Sequence, residues 1–323
     1  MIKEENRLAY RGLFAVNFLV CLGFGIVDPF FPVYATNSGA TGFHLAILFS
    51  GYAIAKTIFS PLTGWWSDRK GRQALLISGL CTYTAVSLGY IFFSDPIQLI
   101  LLRFLQGIAA AFVRPVSLAF IGDMAPTRRE GIAMGTFDIS FYSALAVGPV
   151  LGGVIKDMYG FPGIFYSLLF LCFLALCVTM FFVKSPGNGE VRTYSGRGLN
   201  LSIMKESKLL AALCGFIFKR SFGIVLFAIY MPIYMHENLN FKGIEIGMIM
   251  SVSAIVTALL LRPMGHLSDR MSRNRLIFIG SAAAAIFTIC LPMAGTFPLL
   301  LGLSIGIGIA SVLSLPASFA LLV

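Results

Sequence analysis

Charged residues are scarce in this sequence: Asp, Glu, Lys and Arg make up 12% of its 323 residues. An ordinary soluble domain carries about twice that share, so an extended solvated surface is excluded. Histidine is nearly missing, and His44, His236 and His266 stand at no metal-ligand spacing, so no metal centre is expected. The six cysteines (Cys21, Cys81, Cys172, Cys177, Cys214, Cys290) all fall within apolar stretches and show no paired spacing. They read as small packing groups rather than disulfides or ligands. No glycine-rich phosphate loop of the Walker type is present, which argues against ATP as an energy source. No nucleophile–base pattern stands out, and an enzyme is not expected. The weak apolar–polar alternation of an outer-membrane barrel strand is absent too.

What the sequence has in quantity is apolar length. Hydrophobic residues account for 58% of the chain, and the mean hydropathy is +0.87. Several runs reach the roughly 20 residues that a helix needs to cross the hydrocarbon core. In lipid a backbone must satisfy its own hydrogen bonds, so these runs are read as helices. Spans are expected at about 13–35, 43–66, 74–93, 97–122, 131–155, 161–183, 209–235, 244–264, 276–293 and 297–323. The protein is therefore an all-α, multi-pass membrane protein whose first partner is the lipid bilayer.

The formal net charge of +10 would suggest nucleic acid in a soluble protein. Here its placement decides otherwise. With a cytoplasmic N-terminus, sixteen basic residues fall in the inner segments, and only Lys156 and Lys242 fall in outer loops. That is a strong positive-inside bias, so the basic balance reflects topology and no nucleic-acid partner is expected. The first apolar run is too long for a signal peptide and lacks a small-residue cleavage site, so it is read as a retained span.

A shift of 201 residues aligns 43–122 with 244–323 without a gap, giving 18 identities in 80 pairs. Gly64, Ser67, Asp68, Arg69 and Arg72 fall on Gly265, Ser268, Asp269, Arg270 and Arg273. Gly107, Ile108, Ala109, Pro115, Ser117 and Ala119 fall on Gly308, Ile309, Ala310, Pro316, Ser318 and Ala320. The repeat unit is six helices. An even number makes both halves enter the membrane from the same side, as a parallel repeat about an axis along the membrane normal. The expected domains are a six-helix bundle over 1–183, a polar, Gly-rich cytoplasmic linker over 184–208, and a second bundle over 209–323. Counterparts of spans 5 and 6 would lie beyond Val323, so the second bundle is expected to be truncated, with about ten helices of twelve. A fragment is the preferred reading over a natural ten-helix protein.

The segment after span 2 reads GWWSDRKGRQALL and returns in the second half as GHLSDRMSRNRLI. Both resemble the loop signature of the major facilitator superfamily. Gly64, Asp68, Arg69, Gly71 and Arg72 match it, whereas Gln73 stands in place of its last basic residue; Ser272 and Asn274 are departures in the second copy. An acid at a cytoplasmic helix end can accept from orphan N–H groups of a facing helix, and Arg72 can form charged pairs, with Asp123 available at the same level. The resemblance implies that this network latches the outward-facing state. The bland alternative is a topology anchor of solvated charge. Span 4 carries Arg103, Gln106 and Gly107, which resemble the family's Arg-x-x-Gln-Gly motif. Span 5 carries Gly148, Pro149, Gly152 and Gly153, which resemble its antiporter signature, associated with exporters. Its glycines suit close helix approach and its proline a kink at the interface between the halves, although ordinary small-residue packing would use the same residues.

Intramembrane ionisable residues are costly and are read as functional with a named partner. Asp28, followed by Pro29 and Pro32, lies at a depth comparable to Arg103. Asp138 lies at the depth of Arg114, either as a proton site or as one half of a permanent pair. The resemblance places helices 1, 4, 7 and 10 around a central cavity, which favours Asp28 as the proton-coupling residue and Asp138 as a second candidate. Asp28, Arg103, Gln106, Lys219 and Arg220 are the substrate-cavity candidates. Lys56, Arg103, Arg114, Lys219, Arg220 and Arg262 outnumber the acids within spans, which hints at an anionic substrate, although long basic side chains can snorkel.

The expected function is alternating-access, proton-coupled efflux of small amphipathic compounds, with the proton gradient as driving force and no cofactor. The chain is expected to act as a monomer in a bacterial cytoplasmic membrane. Uptake or exchange of an organic anion is the alternative, and a non-transporting membrane sensor or assembly partner a remoter one.

Overall fold

A computed structural model describes residues 4–124, 130–183, 215, 218, 220–270 and 273–319. These residues are helical almost throughout, and none of those described is in a strand. The chain divides into two compact units, Met1–Thr193 and Tyr194–Val323. The division falls within 184–208, the expected linker, which lies outside the described residues.

The N-terminal unit contains α1 (Glu4–Val27), α2 (Phe31–Asn37), α3 (Gly42–Lys70), α4 (Arg72–Phe92), α5 (Pro96–Met124) and α6 (Glu130–Phe182). The second contains a π-helical turn at Leu226–Tyr230, then α7 (Met231–Glu237), α8 (Gly243–Arg270), α9 (Arg273–Cys290) and α10 (Phe297–Phe319). Eight helices among the described residues are long and apolar enough to cross a membrane. One of these, Ala133–Phe182, is 50 residues long and covers expected spans 5 and 6.

Three boundaries differ from the sequence reading, each for a local reason. Span 1 is not one helix: it stops at Val27 and restarts at Phe31. Pro29 and Pro32 lack the N–H groups that would continue the ladder, so Asp28 sits in the break. The motif after span 2 is not a loop either. Residues 64–70 complete α3, Arg72 opens α4, and Gly71 alone reverses the chain at φ 87°, a conformation that a Cβ disfavours. The expected outer loop between spans 5 and 6 is likewise one residue, Gly160 at φ 69° and ψ −166°. Pro162 then sits at the start of the following limb, where its missing donor costs nothing.

The internal repeat is visible in packing as well as in sequence. A Cβ on Gly107 of α5 would strike the Tyr52 carbonyl of α3, and a Cβ on Gly308 of α10 would lie 2.9 Å from the Ser253 carbonyl of α8. These are corresponding residues in the two halves. Gly79 of α4 abuts Phe112 and Val113 of α5, and Gly280 of α9 abuts Leu313 and Ser314 of α10. The two units therefore use the same small-residue contacts to seat the fourth helix of each half. In lipid, where apolar burial supplies no net drive between helices, such close packing holds the bundle. Across α3 and α5, Thr63 Oγ1 donates to the Ala111 carbonyl at 2.9 Å.

Candidate functional site

The break between α1 and α2 places Asp28 beside α5. Arg103 Nη2 donates to Asp28 Oδ1 at 2.9 Å, and Arg103 Nη1 donates to Gln106 Oε1 at 2.8 Å. The same Gln106 oxygen accepts from the Tyr90 hydroxyl at 2.8 Å. Two donors on one oxygen fix the orientation of the amide, so Gln106 presents its carbonyl to the guanidinium. The face of Arg103 lies over Phe31 at 4.1 Å and Phe49 at 5.2 Å, within cation–π range. Arg103 Nε is buried without a hydrogen-bond partner among the described residues.

Burial across this cluster is uneven. The side chain of Arg103 is 4% exposed and that of Asp28 is 51% exposed on its own unit. Gln106 is 1% exposed. Of these three substrate-cavity candidates only Asp28 offers an open surface. Arg103 and Gln106 stand behind it as a sealed support. A buried guanidinium needs acceptors and aromatic faces around it, and Gln106 and Phe31 supply them. Of the other two candidates, Lys219 lies outside the described residues, and Arg220 is helical and half-buried with interactions of its own.

A second pair lies toward the other end of the unit. Arg114 Nη2 donates to Asp138 Oδ1 at 2.8 Å, and the guanidinium lies 4.7 Å from the Phe141 ring. Both side chains are partly exposed, 33% and 39%. Asn17 Nδ2 on α1 donates to Ser140 Oγ on α6 at 2.7 Å, and Ser140 Oγ donates to the Phe137 carbonyl. Asn17, 2% exposed, is a polar link beside Asp138 that the sequence reading did not single out.

At the end of the unit carrying the first signature motif, Arg72 forms an ion pair with Asp123, and Arg72 Nη2 donates to Asp123 Oδ1 at 3.0 Å. Arg69 is exposed and its guanidinium lies 3.9 Å over the Trp65 ring. The side chain of Asp68 lies outside the described residues, as do the surroundings of Gly265 and the side chains of Asp269, Arg270 and Arg273. Gly64 has open space where a Cβ would go.

The glycines of the span 5 signature pack within their own unit. A Cβ on Gly148 would lie 2.6 Å from the Gly25 Cα, and one on Gly152 would strike the Ile26 carbonyl. Gly153 is buried. The close approach that these residues permit is therefore between α1 and α6, directly before the Asp28 break, rather than one read between halves.

The sequence reading missed a second repeated feature. The tetrapeptide Phe24–Val27 recurs as Phe222–Val225, out of register with the 201-residue offset. In the first half the helix stops immediately afterwards, and in the second the π-helical turn Leu226–Tyr230 follows. A gapless shift passes over this match because the two halves differ in length at that point. π-Helical turns often mark functional positions.

His44 caps α3, its backbone N–H donating to Thr41 Oγ1 and its ring accepting from the Thr41 backbone N–H at 3.1 Å. No cluster with metal-binding composition occurs among the described residues.

Comparison with known proteins places this arrangement. The profile of the Major Facilitator Superfamily matches residues 13–323. An MFS-type transporter of Methanocaldococcus jannaschii is 28% identical over 318 residues, covering 96% of this chain and 81% of the relative. The multi-drug resistance efflux pump PmrA of Streptococcus pneumoniae is 28% identical over 311 residues, covering 93% and 76%. The multidrug resistance protein MdtG of a Rahnella species is 29% identical over 303 residues, covering 88% and 71%. Among solved structures, the nucleoside transporter NupG superimposes with a TM-score of 0.77 at 15% identity, over 95% of this chain and 80% of that one. A bacterial homologue of the human lysosomal transporter Spinster gives 0.75 at 14% identity, over 99% and 76%. At these identities the structures establish the fold alone. Sequence profile, helical architecture and paired signature motifs agree: this chain is a multi-pass integral membrane protein of the Major Facilitator Superfamily, a family of transporters.

Proposed function

We propose that the protein exports small amphipathic compounds in exchange for protons, by alternating access of its two halves. The observation that carries this reading is Asp28. Its carboxylate is half-open on the N-terminal unit, at a break in the helix, and is held by an arginine with its own sealed support. A carboxylate that is open on one side and paired behind is suited to exchanging a proton for an ion pair: when it protonates, Arg103 keeps Gln106 and the Phe31 face. Intramembrane acids of this kind mark proton relays. The direction of transport is inferred from two efflux pumps among the relatives and from the Gly148–Gly153 signature. Asp138, paired to Arg114, is the second proton candidate.

The Arg72–Asp123 pair is proposed to belong to the latch that the signature motif forms on the cytoplasmic face. The proposed setting is a bacterial cytoplasmic membrane with the N-terminus inside, the protein acting as a monomer and driven by the proton gradient without a cofactor.

The test is dye and antibiotic accumulation in a drug-sensitive bacterial host, with and without a proton uncoupler. Expression should lower accumulation, and the uncoupler should restore it. Asp28→Asn should abolish the uncoupler-sensitive component at normal insertion, because the amide oxygen still accepts from Arg103 but takes no proton. Export that ignores the uncoupler, or persists in Asp28→Asn, rejects the assignment.

A further inference from the structure

Once the ion pairs are counted, one mid-span cation of the N-terminal unit is left over. Lys56 lies half-buried at the middle of α3, about 14 residues from either end. Within the expected span 43–66 the nearer edge is about 10 residues away; at 1.5 Å per residue that is about twice the reach of the side chain, so snorkelling does not bring the ammonium to either surface. The ammonium lies 6.0 Å from the Tyr52 ring one turn away, and Arg103 lies 5.9 Å from the same ring. Lys56 and Arg103 thus border the same aromatic ring.

Among the described residues Lys56 makes no ion pair, and the sequence gives the reason. Of the fourteen acids in these 323 residues, only Asp28 and Asp138 fall well inside spans, and each already holds an arginine. Asp123, at the end of α5, holds Arg72. Glu245 accepts from the Lys242 backbone N–H at 2.8 Å at the start of α8. Two pairs cancel and, among the described residues of these spans, one positive charge remains. An ammonium at this depth without a counter-charge is costly, and a cost kept at mid-membrane marks a ligand pathway.

We propose that Lys56 receives the anionic group of the transported compound. This rests on the export reading above and narrows its amphipathic substrates to those that carry a carboxylate, sulfonate or phosphate. The two pairs make the position selective: Asp28 and Asp138 are engaged by their arginines and do not compete for Lys56.

The test uses purified full-length protein in detergent and a matched pair of probes, 1-naphthaleneacetate and its methyl ester, read by thermal stabilisation. The acid should stabilise the wild type at lower concentration than the ester. Lys56→Met should weaken the acid about tenfold or more, the scale of a lost charged hydrogen bond, and leave the ester unchanged. Lys56→Arg should keep the preference for the acid. Removal of an unpaired cation should raise the melting temperature of unliganded Lys56→Met, so misfolding does not confound the result. Equal weakening of acid and ester in Lys56→Met, or an acid preference that persists, overturns the assignment. A wild type stabilised by the ester and not by the acid overturns Lys56 alone. A wild type stabilised by neither overturns the amphipathic-substrate reading and the Lys56 assignment with it.

Discussion

Asp28 and Arg103 are an unequal pair, and the inequality is measurable. Arg103 is 4% exposed and Asp28 51% exposed, so loss of either partner has different consequences. Asp28→Ala strands a buried guanidinium, a class of change that costs about 3–5 kcal/mol. Arg103→Met leaves a half-open carboxylate that water can solvate, at a smaller cost. A double-mutant cycle read by melting temperature should show the larger drop for Asp28→Ala and a recovery in the double mutant. Equal drops would mean that Arg103 reaches another acceptor when Asp28 is gone. Gln106 belongs to the same argument. Its oxygen takes both Tyr90 and Arg103, and Gln106→Leu should destabilise by about 1–3 kcal/mol through the donors it orphans. The pairing of Asp28 with Arg103 was readable from depth along the spans. The supporting Tyr90 was not, because it lies on another helix and no spacing rule links it to Gln106.

At the scale of elements, the signature glycines divide into two kinds that the sequence motif does not separate. Gly148 touches the Gly25 backbone, and a Cβ there would sit 2.6 Å from the Gly25 Cα. Gly148→Ala should therefore part α1 from α6 at a cost of about 1–3 kcal/mol from overpacking, seen as a lower melting temperature. Gly64 has nothing within 4 Å of the same hypothetical atom, and it lies inside α3, where alanine is the better helix former. Gly64→Ala should leave the melting temperature equal or higher. Lost export at intact stability would then place Gly64 in the moving parts of the cycle rather than in the packed ones. Both outcomes follow from the neighbours, which a motif does not list. The same holds for Gly71 and Gly160: loops were expected at both places, and one residue of positive φ makes each reversal.

For the whole molecule, the proposed orientation places the Arg72–Asp123 pair inside and the Gly160 reversal outside. Met158 is 66% exposed beside that reversal. In a cysteine-free background, Met158→Cys should react with a membrane-impermeant maleimide added to whole cells, and Arg69→Cys should react only after permeabilisation. The reverse pattern would invert the topology and with it the direction of the proton path. The repeat supports the symmetric frame on which this rests: Gly107 with Gly308, and Gly79 with Gly280, make equivalent contacts in the two units. The Asp28–Arg103 pair, by contrast, is one-sided. At the positions of Asp28 and Arg103 the second half carries Leu226, by the Phe-Gly-Ile-Val match, and Ser304, by the 201-residue offset.

By itself the sequence determined class, repeat and family, because hydropathy, charge placement and motif spacing are properties of a linear chain. It also limited the possible ion pairs, since so few acids lie within spans that Arg103 and Arg114 each had one plausible partner. Only the tertiary structure decided which charges are sealed and which are open. Burial depends on side chains contributed by other helices: Phe31, Phe49 and Tyr90, with Gln106 of the same helix, enclose Arg103, and nothing comparable encloses Asp28 or pairs with Lys56 among the described residues. That is a property of packing in three dimensions, and it turns a count of intramembrane charges into a site.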